Sequence, residues 1–185
     1  MRIISGKAGR LAIKVPSAVA RPTTDFVRQA IFSILGEKVD GARVLDLFAG
    51  SGAIGLEALS RGAAGCVFVD QHRQAANVIT ENLAKSRLEG GRVVRADVTA
   101  FLRNDIGSYD LIFADPPYAK CAADFDHVRA LLEGGLVQPR LAPDGWLITE
   151  APSGKPPGHA AGWKLLDHRE YGGSAILLYA PLTEA

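Results

Sequence analysis

An apolar run over residues 43–48 leads directly into Gly50, Gly52 and Gly55, and a helical apolar pattern continues to residue 61. A strand that must turn at once into a helix, with three glycines at this spacing, leaves few folds open. The spacing is that of a loop for a nucleotide-type cofactor. Its glycines allow a tight turn, a close backbone approach to the ligand and close helix–strand packing. The expected fold is α/β with this unit at its centre.

The remainder of the chain repeats the alternation. Strands are expected over 66–70, 92–95, 109–114 and 145–150, with helices over 73–87, 98–103 and 125–132 between them. In the helix at 73–87, Ala76, Ile79 and Leu83 fall on one face. Short apolar strands separated by helices imply a parallel sheet covered on both faces. Thr24 is placed to cap a helix that ends at Gly36, with Val27, Ile31, Ile34 and Leu35 on its apolar face. Residues 151–162 contain Pro152, Pro156 and Pro157 and read as a loop. Segments 163–171 and 174–180 flank Gly172 and Gly173 as an antiparallel hairpin. Residues 2–15 alternate weakly around Gly6 and Gly9, as a short hairpin or arm. The expected division is a basic arm over 1–20 and one α/β domain over 21–185, which suits a chain of 185 residues.

Charge is placed unevenly. Residues 1–35 hold Arg2, Lys7, Arg10, Lys14, Arg21 and Arg28 against Asp25 alone, whereas the other 150 residues hold 15 basic and 19 acidic side chains. A basic segment on a mildly acidic body suggests a local contact with phosphates; a solvated arm is the plainer alternative. Cys66 and Cys121 are the only cysteines and lack metal-ligand spacing. No metal site, membrane span or signal peptide is read from the chain, so a cytoplasmic setting is expected.

Two further features specify the chemistry. Asp46 lies in the first strand, just before the loop, and Asp70 ends the second, placed for ribose hydroxyls. A carboxylate beside a dinucleotide's pyrophosphate is repulsive, but beside a cationic sulfonium it is attractive. Asp97 follows the third strand, either to accept from an adenine amine or to cap the next helix. Asp115, Pro116, Pro117 and Tyr118 follow the fourth strand directly. Chance would place such a tetrapeptide in a chain of this length on the order of once in a thousand sequences. A carboxylate and a carbonyl can accept the two N–H groups of a planar exocyclic amine, the prolines fix the turn, and Tyr118 can stack on a base face. Together these residues imply methyl transfer from S-adenosyl-L-methionine to a nucleobase nitrogen.

With these motifs in place the chain resembles the RsmD-type methyltransferases, which modify the exocyclic N2 of a guanine in 16S ribosomal RNA. The likeness is carried by residues 2–7, Arg21-Pro-Thr23, the stretch from Asp46 to Ala63, Asp115–Tyr118 and Tyr171-Gly172. It implies a Rossmann-like class I methyltransferase fold with a mostly parallel seven-stranded sheet and a terminal antiparallel hairpin. It further implies S-adenosyl-L-methionine as donor and the small ribosomal subunit or its assembly intermediate as partner. A monomer is expected. The cofactor site is then assigned to Asp46, Phe48, Gly50, Gly52, Gly55, Asp70, Asp97 and Val98, and the base pocket to Asp115, Pro116 and Tyr118. RNA contact is assigned to Arg2, Lys7, Arg10, Lys14, Arg21, Thr23 and Arg28. An adenine-N6 methyltransferase would use the same tetrapeptide. A nicotinamide-dependent oxidoreductase would use the glycines but neither Asp46 nor the tetrapeptide, and a non-catalytic RNA-binding module would need none of them.

Overall fold

Strands buried on both faces must be apolar on both faces, and β1 (Arg43–Leu47), β2 (Gly65–Asp70) and β4 (Tyr109–Ala114) meet that condition. The structure, a computed structural model, describes residues 1–17, 24–117, 126–154 and 160–182. With β3 (Gly91–Arg95), β5 (Leu141–Pro152), β6 (Trp163–Tyr171) and β7 (Ser174–Pro181) they form one sheet in the order β3-β2-β1-β4-β5-β7-β6. The pairs from β3 through β5 are parallel, and β7 runs antiparallel to both of its neighbours. Helix α1 (Asp25–Leu35) precedes the first strand, α2 (Ala53–Ser60), α3 (Arg73–Ser86), α4 (Val98–Asn104) and α5 (His127–Glu133) lie in the connections from β1 through β5, and two apolar clusters form the core about the sheet.

Local chemistry sets the helix starts. Thr24 Oγ1 accepts from Val27 N–H at 3.2 Å, Asp97 Oδ1 from Ala100 N–H at 2.9 Å and Asp126 Oδ1 from Arg129 N–H at 2.9 Å, each a side-chain cap. Asp126 explains why α5 begins at His127 rather than at Phe125, which lies outside the described residues.

Strand β5 extends past the expected 145–150 at both ends. At its start the strand carries a bulge over Pro143, Asp144 and Gly145: Tyr109 pairs with Leu141 and Leu111 with Trp146, and Asp144 takes a φ of 63°. At the other end Ala151 and Pro152 belong to the strand rather than to a loop, because β7 pairs with them through Ala175 and Ser174.

Helix α2 is buried along its whole length because the sheet covers one side and the N-terminal arm the other. The arm folds back on itself: Ile3 N–H donates to Leu11 O at 2.9 Å and Arg10 N–H to Ile3 O at 2.8 Å. Ile3 and Ile13 are buried, each contributing roughly 1.5–3 kcal/mol by removal from water. The Glu57 carboxylate of α2 accepts from the Ile4 and Ser5 N–H groups, and Ser60 Oγ accepts from Ala8 N–H and donates to Ser5 O. These bonds dock the arm on the body of the domain.

Candidate active site

Parallel register brings the strand ends to a common rim. Leu47 pairs with Val69 on one side and Ala114 on the other, Asp70 pairs with Arg95, and Ala114 pairs with Thr149. The chain order reverses at β1: from there it builds outward to β3, then returns to place β4 on β1's other edge. In open α/β sheets the crevice at such a switch point is where ligands bind. The glycine-rich turn after β1 and Asp115, Pro116 and Pro117 after β4 flank that crevice.

The turn is held by main-chain and carboxylate bonds. Ala49 N–H donates to Val69 O at 3.0 Å and Gly52 N–H to Ala49 O at 2.7 Å. Gly52 has a φ of 75°, a conformation open to glycine at little cost. Gly55 is needed for space instead: a Cβ there would lie 2.3 Å from Phe68 Cε1 and 2.5 Å from Cys66 Sγ. Phe48 enters the turn with a φ of 59°, which costs a non-glycine residue on the order of 1–3 kcal/mol. Its ring, half-buried, meets the His127 ring edge-on at 5.3 Å.

Two loop amides donate to the site's own acids. Gly50 N–H donates to Asp70 Oδ2 at 3.0 Å and Gly55 N–H to Asp46 Oδ2 at 3.0 Å. In a dinucleotide site such amides face a pyrophosphate; here they are committed to carboxylates. Asp70 Oδ1 also accepts from His72 N–H at 2.8 Å, with the His72 ring Nδ1 3.0 Å away. Burial pushes the Asp46 carboxyl well above the ordinary carboxylate range; the Gly55 amide opposes the shift, and the Asp115 and Asp70 charges add to it. Three acids thus share one water-poor crevice and feel one another's fields. That arrangement favours a ligand bearing positive charge and disfavours a phosphate.

Asp115 is half-buried, Pro116 is buried and Pro117 is exposed. Thr149 pairing with Ala114 brings the buried Glu150 level with Asp115 on the same rim. Asp97 is exposed and serves as the α4 cap, and Val98 beside it is buried in the core. Tyr118, Arg21 and Thr23 lie outside the described residues.

The residues expected to meet phosphates fall into three groups. Lys7 and Arg10 are exposed. Arg2 and Lys14 are exposed but paired, with Asp25 at 3.2 Å and Glu81 at 2.5 Å. Arg28 is a correction: its side chain is fully buried, and its Nη2 donates to Asp25 Oδ1 at 2.6 Å and to Arg2 O at 2.8 Å. It fastens the arm to α1 and does not reach solvent. Burial lowers its pKa, against the raising effects of Asp25 and Glu57.

Residues unassigned in the sequence also build the site. His72 stands two positions after Asp70, a spacing at which an aspartate commonly accepts from the main chain. His127 and Glu150 reach the rim only through tertiary register, so no local pattern marks them. Among the described residues no group of three or more His, Cys, Asp or Glu could hold a metal ion, and no helix is long and apolar enough to cross a membrane.

The sheet order, the glycine turn and the acidic crevice define a Rossmann-like class I methyltransferase fold. The ribosomal protein L11 methylase of Lactobacillus delbrueckii subsp. bulgaricus shares that fold at 19% identity, with a TM-score of 0.70 over 91% of this chain and 84% of that one. Within this class the chain belongs to the RsmD family: residues 1–180 match the family model described as "Conserved hypothetical protein 95". It is 38% identical to Ribosomal RNA small subunit methyltransferase D of Escherichia coli (strain K12), over 82% of this chain and 71% of the relative. The solved structure of the Escherichia coli protein yhhF superposes with a TM-score of 0.82 at 32% identity, covering 100% of this chain and 99% of that one.

Proposed function

We propose that this protein transfers a methyl group from S-adenosylmethionine to the exocyclic N2 of a guanine in 16S ribosomal RNA, with the target base rotated out of its stack. The observation that carries the reading is the Asp115–Pro116 turn placed across the β1/β4 switch point from Asp46 and the glycine loop. The residues fit the donor: the acids suit its cationic groups, and Asp70 keeps lone pairs for ribose hydroxyls beyond its bonds to Gly50 and His72. The relative named Ribosomal RNA small subunit methyltransferase D supports ribosomal RNA as the substrate.

S-adenosylmethionine, when bound, supplies a methyl carbon made electrophilic by its sulfonium. A guanine amine is a weak nucleophile because its lone pair is shared with the ring. The Asp115 carboxylate and the Pro116 carbonyl accept its two N–H groups. That favours a pyramidal nitrogen with its lone pair directed outward, and the bonds strengthen as positive charge grows on nitrogen. The two prolines hold the turn in one shape and remove competing donors. Tyr118 stacks on the base, which is extruded from its helix. Asp115 or water takes the proton that the nitrogen sheds. Neither a covalent enzyme intermediate nor prior deprotonation of the amine is required. Exposed Lys7 and Arg10, with Arg2 and Lys14 exchanging their surface partners for phosphates, position the RNA.

Asp115→Ala tests the assignment. Turnover falls by at least roughly 100- to 1,000-fold, while calorimetric affinity for S-adenosylmethionine stays within about threefold. Near-wild-type turnover refutes the role of Asp115. Methyl incorporation into duplex DNA instead of small subunits overturns the substrate.

A further inference from the structure

The buried face of α3 reads Ala75, Ile79 and Asn82. Ile79 packs beneath the cofactor loop, where a Cβ on Gly52 would be 3.2 Å from its side chain. Asn82, one turn on, is a fully buried amide where the helix pattern calls for an apolar residue. Its hydrogen bonds reach two distant segments. Lys14 N–H donates to Asn82 Oδ1 at 2.8 Å, and Asn82 Nδ2 donates to Lys14 O at 3.0 Å and to Ser51 O at 3.0 Å. The amide cannot be turned over, because the reverse orientation would set N–H against N–H and oxygen against two carbonyls. Ser51 lies between Gly50 and Gly52 and is itself buried, so fixing its carbonyl fixes the peptide plane at the centre of the turn. The arm holds the same residue from the other side: Ser51 Oγ is 3.3 Å from Met1 Sδ. Further bonds seat the arm along α3, from Gln74 to Ser17 and from Lys85 to Ala12 O.

We infer that Asn82 is a positioning residue for the cofactor loop, and that through it the N-terminal arm is part of the cofactor site as well as an RNA-facing segment. Removing the Asn82 bridge weakens S-adenosylmethionine binding in the absence of any RNA. Loosening the arm at Lys14 does the same, through the same residue. By reciprocity a bound cofactor tightens the arm. The inference rests on the methyltransferase reading above, and its test separates the two.

Calorimetric titration of S-adenosylmethionine is carried out on the full chain and on Asn82→Asp, Lys14→Pro and the double variant. Asn82→Asp keeps the size and the acceptor for Lys14 but loses both donated bonds; Lys14→Pro removes the arm's N–H. Lys14→Pro binds about tenfold more weakly, the scale of one missing hydrogen bond, and Asn82→Asp, which loses two, binds at least about tenfold more weakly. The double variant is no weaker than Asn82→Asp, because both changes break one linkage. At saturating cofactor the kcat of Asn82→Asp on small subunits stays within about threefold while KM for the cofactor rises, a split that general loss of structure does not give. Hydrogen exchange on the wild-type chain provides the second measurement: saturating cofactor slows exchange at the Lys14 amide. Wild-type affinity in Asn82→Asp, additive losses in the double variant, or no change at the Lys14 amide each overturns the inference alone. A wild-type chain that does not bind S-adenosylmethionine overturns the methyltransferase reading with it.

Discussion

Asp46 is the residue on which the chemistry of the crevice turns. Its carboxyl is buried, bonded to the Gly55 amide and faced by the charges of Asp115 and Asp70. A carboxyl whose pKa is raised on folding holds its proton more tightly in the native state. Its contribution to stability is therefore fully present below the unfolded value of 3.8 and is lost as pH rises through the folded value. Affinity for a cationic cofactor runs the other way, because only the ionised form attracts it. Titration calorimetry at pH values above the ordinary carboxylate range should show S-adenosylmethionine affinity rising with pH. In Asp46→Asn, which keeps an acceptor for Gly55, binding should be weaker and flatter with pH. An affinity that is flat or falls with pH in the wild type contradicts this role for Asp46. Its place in the strand before the glycines was readable from residue order. Its raised pKa was not, because that comes first from burial in the folded crevice and then from Asp115, which is 69 positions away in the chain and becomes a neighbour only through the β1–β4 register.

At the scale of elements, α2 shows what the glycine pattern requires. Gly55 lets the helix lie against β2, and the Phe68 ring and Cys66 sulfur occupy the space a side chain would need. Gly55→Ala should therefore destabilise the fold by about 1–3 kcal/mol through overpacking, read as a lower Tm. An unchanged Tm would mean that the helix can lift away freely. The helices and strands were largely legible because their apolar spacing is a local property. The polar residues Arg28, Glu57 and Asn82 were not. As polar side chains each reads as solvent-facing, Asn82 even though it falls on the apolar face of α3, and each is bonded to the N-terminal arm. Likewise the expected start of the fifth strand at residue 145 fell short of Leu141, since the bulge that keeps the strand paired depends on β4.

For the whole molecule, the docking of the arm changes how its charge is used. Of the seven residues assigned to RNA, Lys7 and Arg10 face solvent without an ion pair among the described residues, Arg2 and Lys14 are tied to nearby acids, and Arg28 is internal. Replacing Lys7 and Arg10 together with alanine should weaken binding to small-subunit RNA. The slope of log affinity against log salt should fall by about one for each phosphate that is no longer neutralised. Cofactor affinity should not change. An unaltered salt slope would place the RNA elsewhere. The glycine turn, the strand that leads into Asp115 and the basic arm could each be read separately from the sequence. The meeting of the first two at one rim follows from sheet order, which residue periodicity does not encode.

On the proposed function, a guanine amine and a methyl donor meet between the ends of β1 and β4. Small subunits lacking their methyl groups can be incubated with the protein and S-adenosylmethionine, and the 16S ribosomal RNA then digested to nucleosides and resolved by mass spectrometry against standards. The expected product is N2-methylguanosine, formed by the wild type and not by Asp115→Ala. Methyl groups found on adenine N6, or the same product from both proteins, would contradict it.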